Sequence, residues 1–495
     1  MEVSKVHKCL QPPLPSPCGT YLALLTPTHL ELRSTLTTAL LRRIPAPPKP
    51  HSLSWSPKGL HILIASATEA HTYSLPDPSF TSTISNGTGS MGPLVHAHFG
   101  PDPSSLLLYS DFSSRVVAWS LPSGRSVEIR DPKFASSRGS GFAPDGTFAL
   151  LGRHGATDVL SLHTPASYAL LRAVPLQSVD AQGLTWSRDG RWLAVWEAPG
   201  VGFRVYVYTA GGELYRIFSG ETGEEWVGLG VRSVEWAPGG AYFAVGGWDG
   251  RVTLLNTRTF SPTIVLAHTP QIHLPTVPVH SEIATAASRS YAPAPQPVTP
   301  PAPPAPKSGI SILAFAPRGT YLATRSDAAP TVVWIWDLGR LAPAAVLLQH
   351  SPVRALAWHA ARDVLLVTCA QDEPVVYTWM PGDGPGVLPV PLGRRQVDAK
   401  WVLGTGDGKL AIVVGDGVGG CVVWPEGREV VVDFPPVEGE EGESSDDSLY
   451  EILTGRQSPR RRAAGDGDDG RTEALLLEVE DDTGVVEDTF VGKAR

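Results

Sequence analysis

The chain has 495 residues, 42% of them hydrophobic, with 14 Trp, 50 Gly and 47 Pro: ample apolar material for a large core, and too much turn chemistry for a helical protein. Its net charge of -9 gathers at one end, since residues 435–495 hold 17 acids against 7 bases and leave 32 acids and 33 bases before them. A near-neutral body without a basic stripe argues against nucleic-acid binding, and no window approaches the ~18 apolar residues of a membrane span.

The N-terminus MEVSKVHKCLQPPLP lacks the apolar core of a signal peptide. Cys9, Cys18, Cys369 and Cys421 form neither a zinc spacing nor a disulfide framework, which predicts a soluble, cytosolic chain. In chain order, one phrase then recurs nine times: LPSPCGTYLALL (14–25), LSWSPKGLHILIAS (53–66), AHFGPDPSSLLLYS (97–110), SGFAPDGTFALLGR (140–153), LTWSRDGRWLAVWE (184–197), VEWAPGGAYFAVGG (234–247), LAFAPRGTYLATRS (313–326), LAWHAARDVLLVTC (356–369) and AKWVLGTGDGKLAIVV (399–414). Each reads as strand, tight turn, strand, and most are followed by a further β-branched or aromatic run such as RVYVYTA (204–210) or TVVWIWDL (331–338).

The spacing of roughly 40 to 45 residues is that of a propeller blade. A sheet of four such strands cannot bury both faces alone and has to stack radially on its neighbours. The sequence therefore predicts an all-β β-propeller of nine units in one continuous ring, and Trp336-Asp337, ending its strand, resembles the dipeptide that names WD repeats, which implies a WD-repeat β-propeller. The aromatic before each turn, as in Trp55, Trp186, Trp236, Phe315 and Trp358, is expected to fill the space between sheets. His268 and His350, each after an apolar run, are expected to hydrogen-bond within a blade.

Residues 269–308 interrupt the repeat with a Pro/Ala-rich stretch containing PAPQPVTPPAPPAP, predicted to loop out without core or ladder and to favour polyproline conformation. Beyond strand-like REVVVDF (428–434) the charged tail is expected to be disordered. The domain division is thus blades one to six (1–268), insertion (269–308), blades seven to nine (309–434) and tail (435–495). Ser458 precedes PRR, and Ser444 and Ser445 lie in an acidic run, so all three are candidate phosphorylation sites.

Nothing in the chain reads as catalysis. Gly87, Gly89 and Gly92 match the dinucleotide-binding spacing, but Pro93 and strand-like LVHAHF follow where that fingerprint needs a helix N-terminus. GTGDGK (404–409) leads into a strand and reads as a hairpin turn. HExxH, GxSxG and paired-carboxylate frameworks are missing, so no enzyme activity, cofactor or metal is predicted.

Two stretches carry a resemblance beyond the fold. WVGLGVRSVEWAPGGAYFAVGGWDGRVTLLN (226–256), followed by the insertion and by ISILAFAPRGTYLATRSDAAPTVVWIWDLGRLAPAAVLLQHSPVRALAW (310–358), resembles the WD-repeat family of spindle poles and centrosomes. The likeness spans about residues 1–424 and leaves out the tail. It implies a non-catalytic scaffold of the cytoplasmic cytoskeleton, at the spindle pole body or microtubule-organising centre. The implied partners are a coiled-coil anchoring protein, a minus-end-directed kinesin and other organising-centre components, with neither nucleic acid nor membrane. Rival readings are an RNA-associated or translation-factor propeller and a ubiquitin-ligase substrate adaptor. The loops preceding each blade gather on one face, and Glu225, Trp226 and Arg354 within them are the candidate partner-binding residues.

Overall fold

Each recurring phrase pairs two antiparallel strands, and several share one turn. In the seventh, strands Ile310–Phe315 and Tyr321–Ser326 are joined by a turn in which the Ala316 N–H donates to the Tyr321 carbonyl and the Gly319 N–H returns to the Ala316 carbonyl. Gly319 takes φ +68°, a left-handed conformation that disfavours a Cβ. The second, fifth and sixth phrases repeat both bonds, through Ser56 and Gly59, Ser187 and Gly190, and Ala237 and Gly240. The structure, a computed structural model, describes residues 1–428 except 86–91, 113–114, 223–224, 227, 286–287, 302, 304, 306, 394 and 405–407, with backbone alone for 221–222 and 225–226.

Two further antiparallel strands complete most units. Nine sheets result, spanning residues 14–45, 52–85, 94–130, 140–175, 181–219, 231–267, 310–348, 353–389 and 398–424, with inner to outer strands in chain order. They form one ring of nine blades, because nine buried apolar clusters each join two successive sheets. The last of these joins Val402, Val413 and Trp424 of the ninth blade to Leu22 and Leu24 of the first. Clustered burial of this kind is what holds a repeat ring together.

The aromatics before the turns lie between sheets, as expected, and four do more than fill space. The indole N–H groups of Trp55, Trp236, Trp358 and Trp401 donate to the carbonyls of Leu14, Thr185, Ala314 and Ala357, each on the inner strand of the preceding blade, at 3.1, 3.4, 2.8 and 2.9 Å. Register is thereby passed from blade to blade through these four indoles; the Trp186 indole lies between sheets without such a bond to any described residue.

Two features depart from the sequence expectation. Among the described residues the ninth sheet has three strands of its own, and its outer edge is supplied by the chain's beginning: Glu2–Val3 and His7–Lys8 pair antiparallel with Gly419–Trp424. REVVVDF, expected as a strand, falls outside the described residues apart from Arg428, whose guanidinium pairs with Glu2. Residues 1–8 therefore belong to the ninth blade and not to the first six.

The insertion, secondly, is only partly a loop. Val279–Ala284 and Arg289–Pro293 form a hairpin, and its first strand runs parallel to Ala342–Leu348, extending the seventh sheet outward. The expectation that this stretch makes no ladder is corrected for these residues. VHSEIA alternates faces, and the buried Glu282 finds partners for its charge in Arg289, Tyr377 and the His350 N–H, which a reading of proline content does not register.

Candidate interaction face

In an antiparallel sheet, the start of the first strand, the end of the second and the start of the third lie on one edge. The links entering each blade therefore share a rim with the turns between second and third strands. On the rim of the sixth and seventh blades the turn Trp248-Asp249-Gly250 is held from below. His268 accepts or donates at Nδ1 with the Gly250 carbonyl at 3.0 Å and at Nε2 with Thr324 Oγ1 at 2.7 Å, while the Trp336 indole N–H donates to the same hydroxyl at 2.9 Å. Burial pulls the His268 pKa down to about 4, against the opposing pull of its Gly250 bond. The ring is neutral at physiological pH, so Nδ1–H donates to Gly250 and Nε2 accepts from Thr324. His268 is thus a structural residue, as expected. His350 is not: its side chain is exposed, and its backbone N–H donates to Glu282 Oε2 at 2.8 Å.

Above that support the Arg232 guanidinium lies over the Trp248 ring, 4.1 Å from its centre. Arg232 also reaches Asp327 Oδ2 at 3.2 Å, and Asp327 is paired with Arg325 from its own blade. Arg325 in turn donates to the Val353 carbonyl of the eighth blade at 2.5 Å. These groups border a cavity of about 860 Å³ whose outer wall includes Pro303, Ala305 and Lys307 of the returning insertion.

Arg354 takes the same register position in the eighth blade that Arg232 takes in the sixth, four residues before the inner aromatic. It pairs with Asp398 of the ninth blade at 2.7 Å while 41% of its side chain stays exposed. Arg138 holds the equivalent place before Phe142 and donates to Gln182 of the fifth blade at 2.9 Å. The arginines thus clamp successive blades and still present themselves at the rim. Arg232 escaped sequence analysis, although laying the phrases in register four positions upstream finds it.

Glu225 and Trp226 form a two-residue strand paired with Glu221–Thr222 on the link entering the sixth blade; their side chains lie outside the described residues. Ser444, Ser445 and Ser458 also fall outside, as do residues 86–91 and 405–407 of the two glycine motifs. Arg354 and the 221–226 hairpin are not brought into one site with the cavity by any described contact. Among the described residues no group of three or more His, Cys, Asp or Glu side chains is placed to hold a metal ion, and no helix is long and apolar enough to cross a membrane.

Comparison with known proteins agrees with this architecture. The family model of the WD domain, G-beta repeat, matches residues 212–256, from the outer strand of the fifth blade through the third strand of the sixth. Over 397 residues the chain is 30% identical to the WD repeat-containing protein WRAP73 of Mus musculus, a match covering 74% of this chain and 84% of that one. An uncharacterized WD repeat-containing protein of Schizosaccharomyces pombe is 26% identical over 377 residues, covering 71% and 75%. Among solved structures, a crystal structure of the eukaryotic initiation factor superposes with a TM-score of 0.53 at 12% identity, covering 78% of this chain and 88% of the other, a likeness of fold alone.

Proposed function

The chain belongs to the WD-repeat protein family that includes WRAP73, and from that premise we propose that it is a non-catalytic scaffold of the spindle pole and microtubule-organising centre. In this reading it resides in the cytoplasm and on the cytoskeleton. There it helps anchor microtubule minus ends with a coiled-coil anchoring protein and a minus-end-directed kinesin, supporting mitotic spindle organisation.

The observation that carries the reading is the extent of the family likeness, which runs along most of the ring rather than one repeat. The chemistry of the rim supports it. Many of its polar groups hold turns or clamp blades, as His268, Arg232 and Arg354 do, and a ring with side chains presented at its rim suits the binding of other proteins. Affinity purification of the tagged full chain from mitotic cells tests the proposal. Co-purification of a coiled-coil organising-centre protein and a minus-end kinesin is expected. Recovery of ribosomal proteins or ubiquitin-ligase subunits in their place would overturn it.

A further inference from the structure

The rim cavity between the sixth and seventh blades holds more positive charge than its own residues neutralise. Arg232, Arg325 and Lys307 line it against one carboxylate, Asp327. Both guanidiniums already share Asp327. Lys307 is exposed, with no ion pair to any described residue.

Three hydrogen-bonding groups also end unused at this lining. Trp248 Nε1, Arg325 Nε and Ser311 Oγ are shielded from water and have no partner among the described residues. The first two are donors only, and the hydroxyl can donate. Buried donors without acceptors are costly, so the cavity is short of acceptors as well as of negative charge. Apart from Ser308 its remaining walls are apolar, and the Trp248 ring, Pro330 and Pro352 are among them.

We propose that this cavity docks an acidic segment of a partner protein, an extended peptide in which a carboxylate-bearing residue stands beside an apolar one. The carboxylate meets Lys307 and the exposed edge of Arg232, and the apolar neighbour packs on Trp248 and the two prolines. The proposal deepens the scaffold reading and rests on it in taking this rim as a binding surface.

Fluorescence anisotropy on the purified full chain tests the site. The probe is a fluorescein-labelled peptide of repeated Pro-Leu-Glu-Glu, with versions carrying glutamine or phosphoserine in place of glutamate. Saturable binding of the glutamate peptide is expected, weakening as salt rises. Glutamine in the peptide, or Lys307→Glu in the protein, is expected to weaken it about tenfold or more. Trp248→Ala should also weaken it; Lys307 makes no pair and is exposed, so its variant keeps the fold intact. The proposal is overturned by no binding, by equal binding of the glutamine peptide, by indifference to Lys307→Glu, or by preference for phosphoserine. Each of these results leaves the co-purification experiment unaffected, so a failure here is distinguishable from failure of the scaffold reading.

Discussion

Gly19 occupies the seam where the ring closes. It has φ +75°, and a Cβ there would stand 1.3 Å from the Leu403 carbonyl oxygen of the ninth blade, so neither backbone can yield without opening the seam. Gly19→Ala is expected to cost on the order of 2 kcal/mol or more in urea unfolding. Gly124→Ala, at φ +64° but with nothing within 4 Å of its Cβ, supplies the control and should cost about 1 kcal/mol. Glu235 sets a pH dependence. Burial raises its pKa from 4.5 to about 7, partly offset by Arg188 and by a backbone bond with Phe315. Between those two values the folded chain holds the proton more tightly than the unfolded chain does, so this group's contribution to stability falls as pH rises and levels off above about 7. Glu235→Gln is therefore expected to flatten the profile and to stabilise the ring by about 1 kcal/mol on its alkaline side, read as Tm against pH. Arg354→Glu would place two carboxylates together with Asp398 at an exposed site; it should leave the fold intact and weaken recruitment to the pole, and unchanged recruitment would remove Arg354 from the binding face.

At the scale of the element, the insertion hairpin is fastened by charge. Glu282 is fully buried and accepts from Arg289, from Tyr377 and from the His350 N–H at 2.8 Å. Arg289→Met leaves that carboxylate uncompensated and is expected to cost about 3 kcal/mol; a loss below a few tenths would mean that the hairpin is only loosely attached. The N-terminal strand is the ring's clasp, through Glu2 and Val3 on Trp424 and Val423 and through the Ser4 N–H donating to the Val422 carbonyl at 2.9 Å. Removing residues 1–8 uncovers the ninth sheet's edge, so a lower Tm and self-association are expected in light scattering. A chain ending at residue 434 keeps that clasp and is expected to melt cooperatively within a few degrees of the full chain. The nine hairpins were legible because each carries its own aromatic, turn glycine and apolar run, all local signals. The clasp was not: Glu2 and Val3 pair with residues more than four hundred positions away, and MEVSKVHK shows little of a strand by itself. The insertion hairpin was obscured by flanking proline, and the rim cavity by its assembly from residues scattered between Arg232 and Pro352.

For the whole molecule, nine interfaces of similar construction distribute stability around the ring, and closure depends on the first residues returning to the last sheet. Such a ring is suited to act as a rigid support that presents side chains at its rim. The proposed scaffold works at the spindle pole. Imaging the fluorescently tagged full chain through mitosis tests it most directly: paired foci at the spindle poles are the expected result, and a diffuse ribosome-like or nuclear distribution throughout division would contradict it.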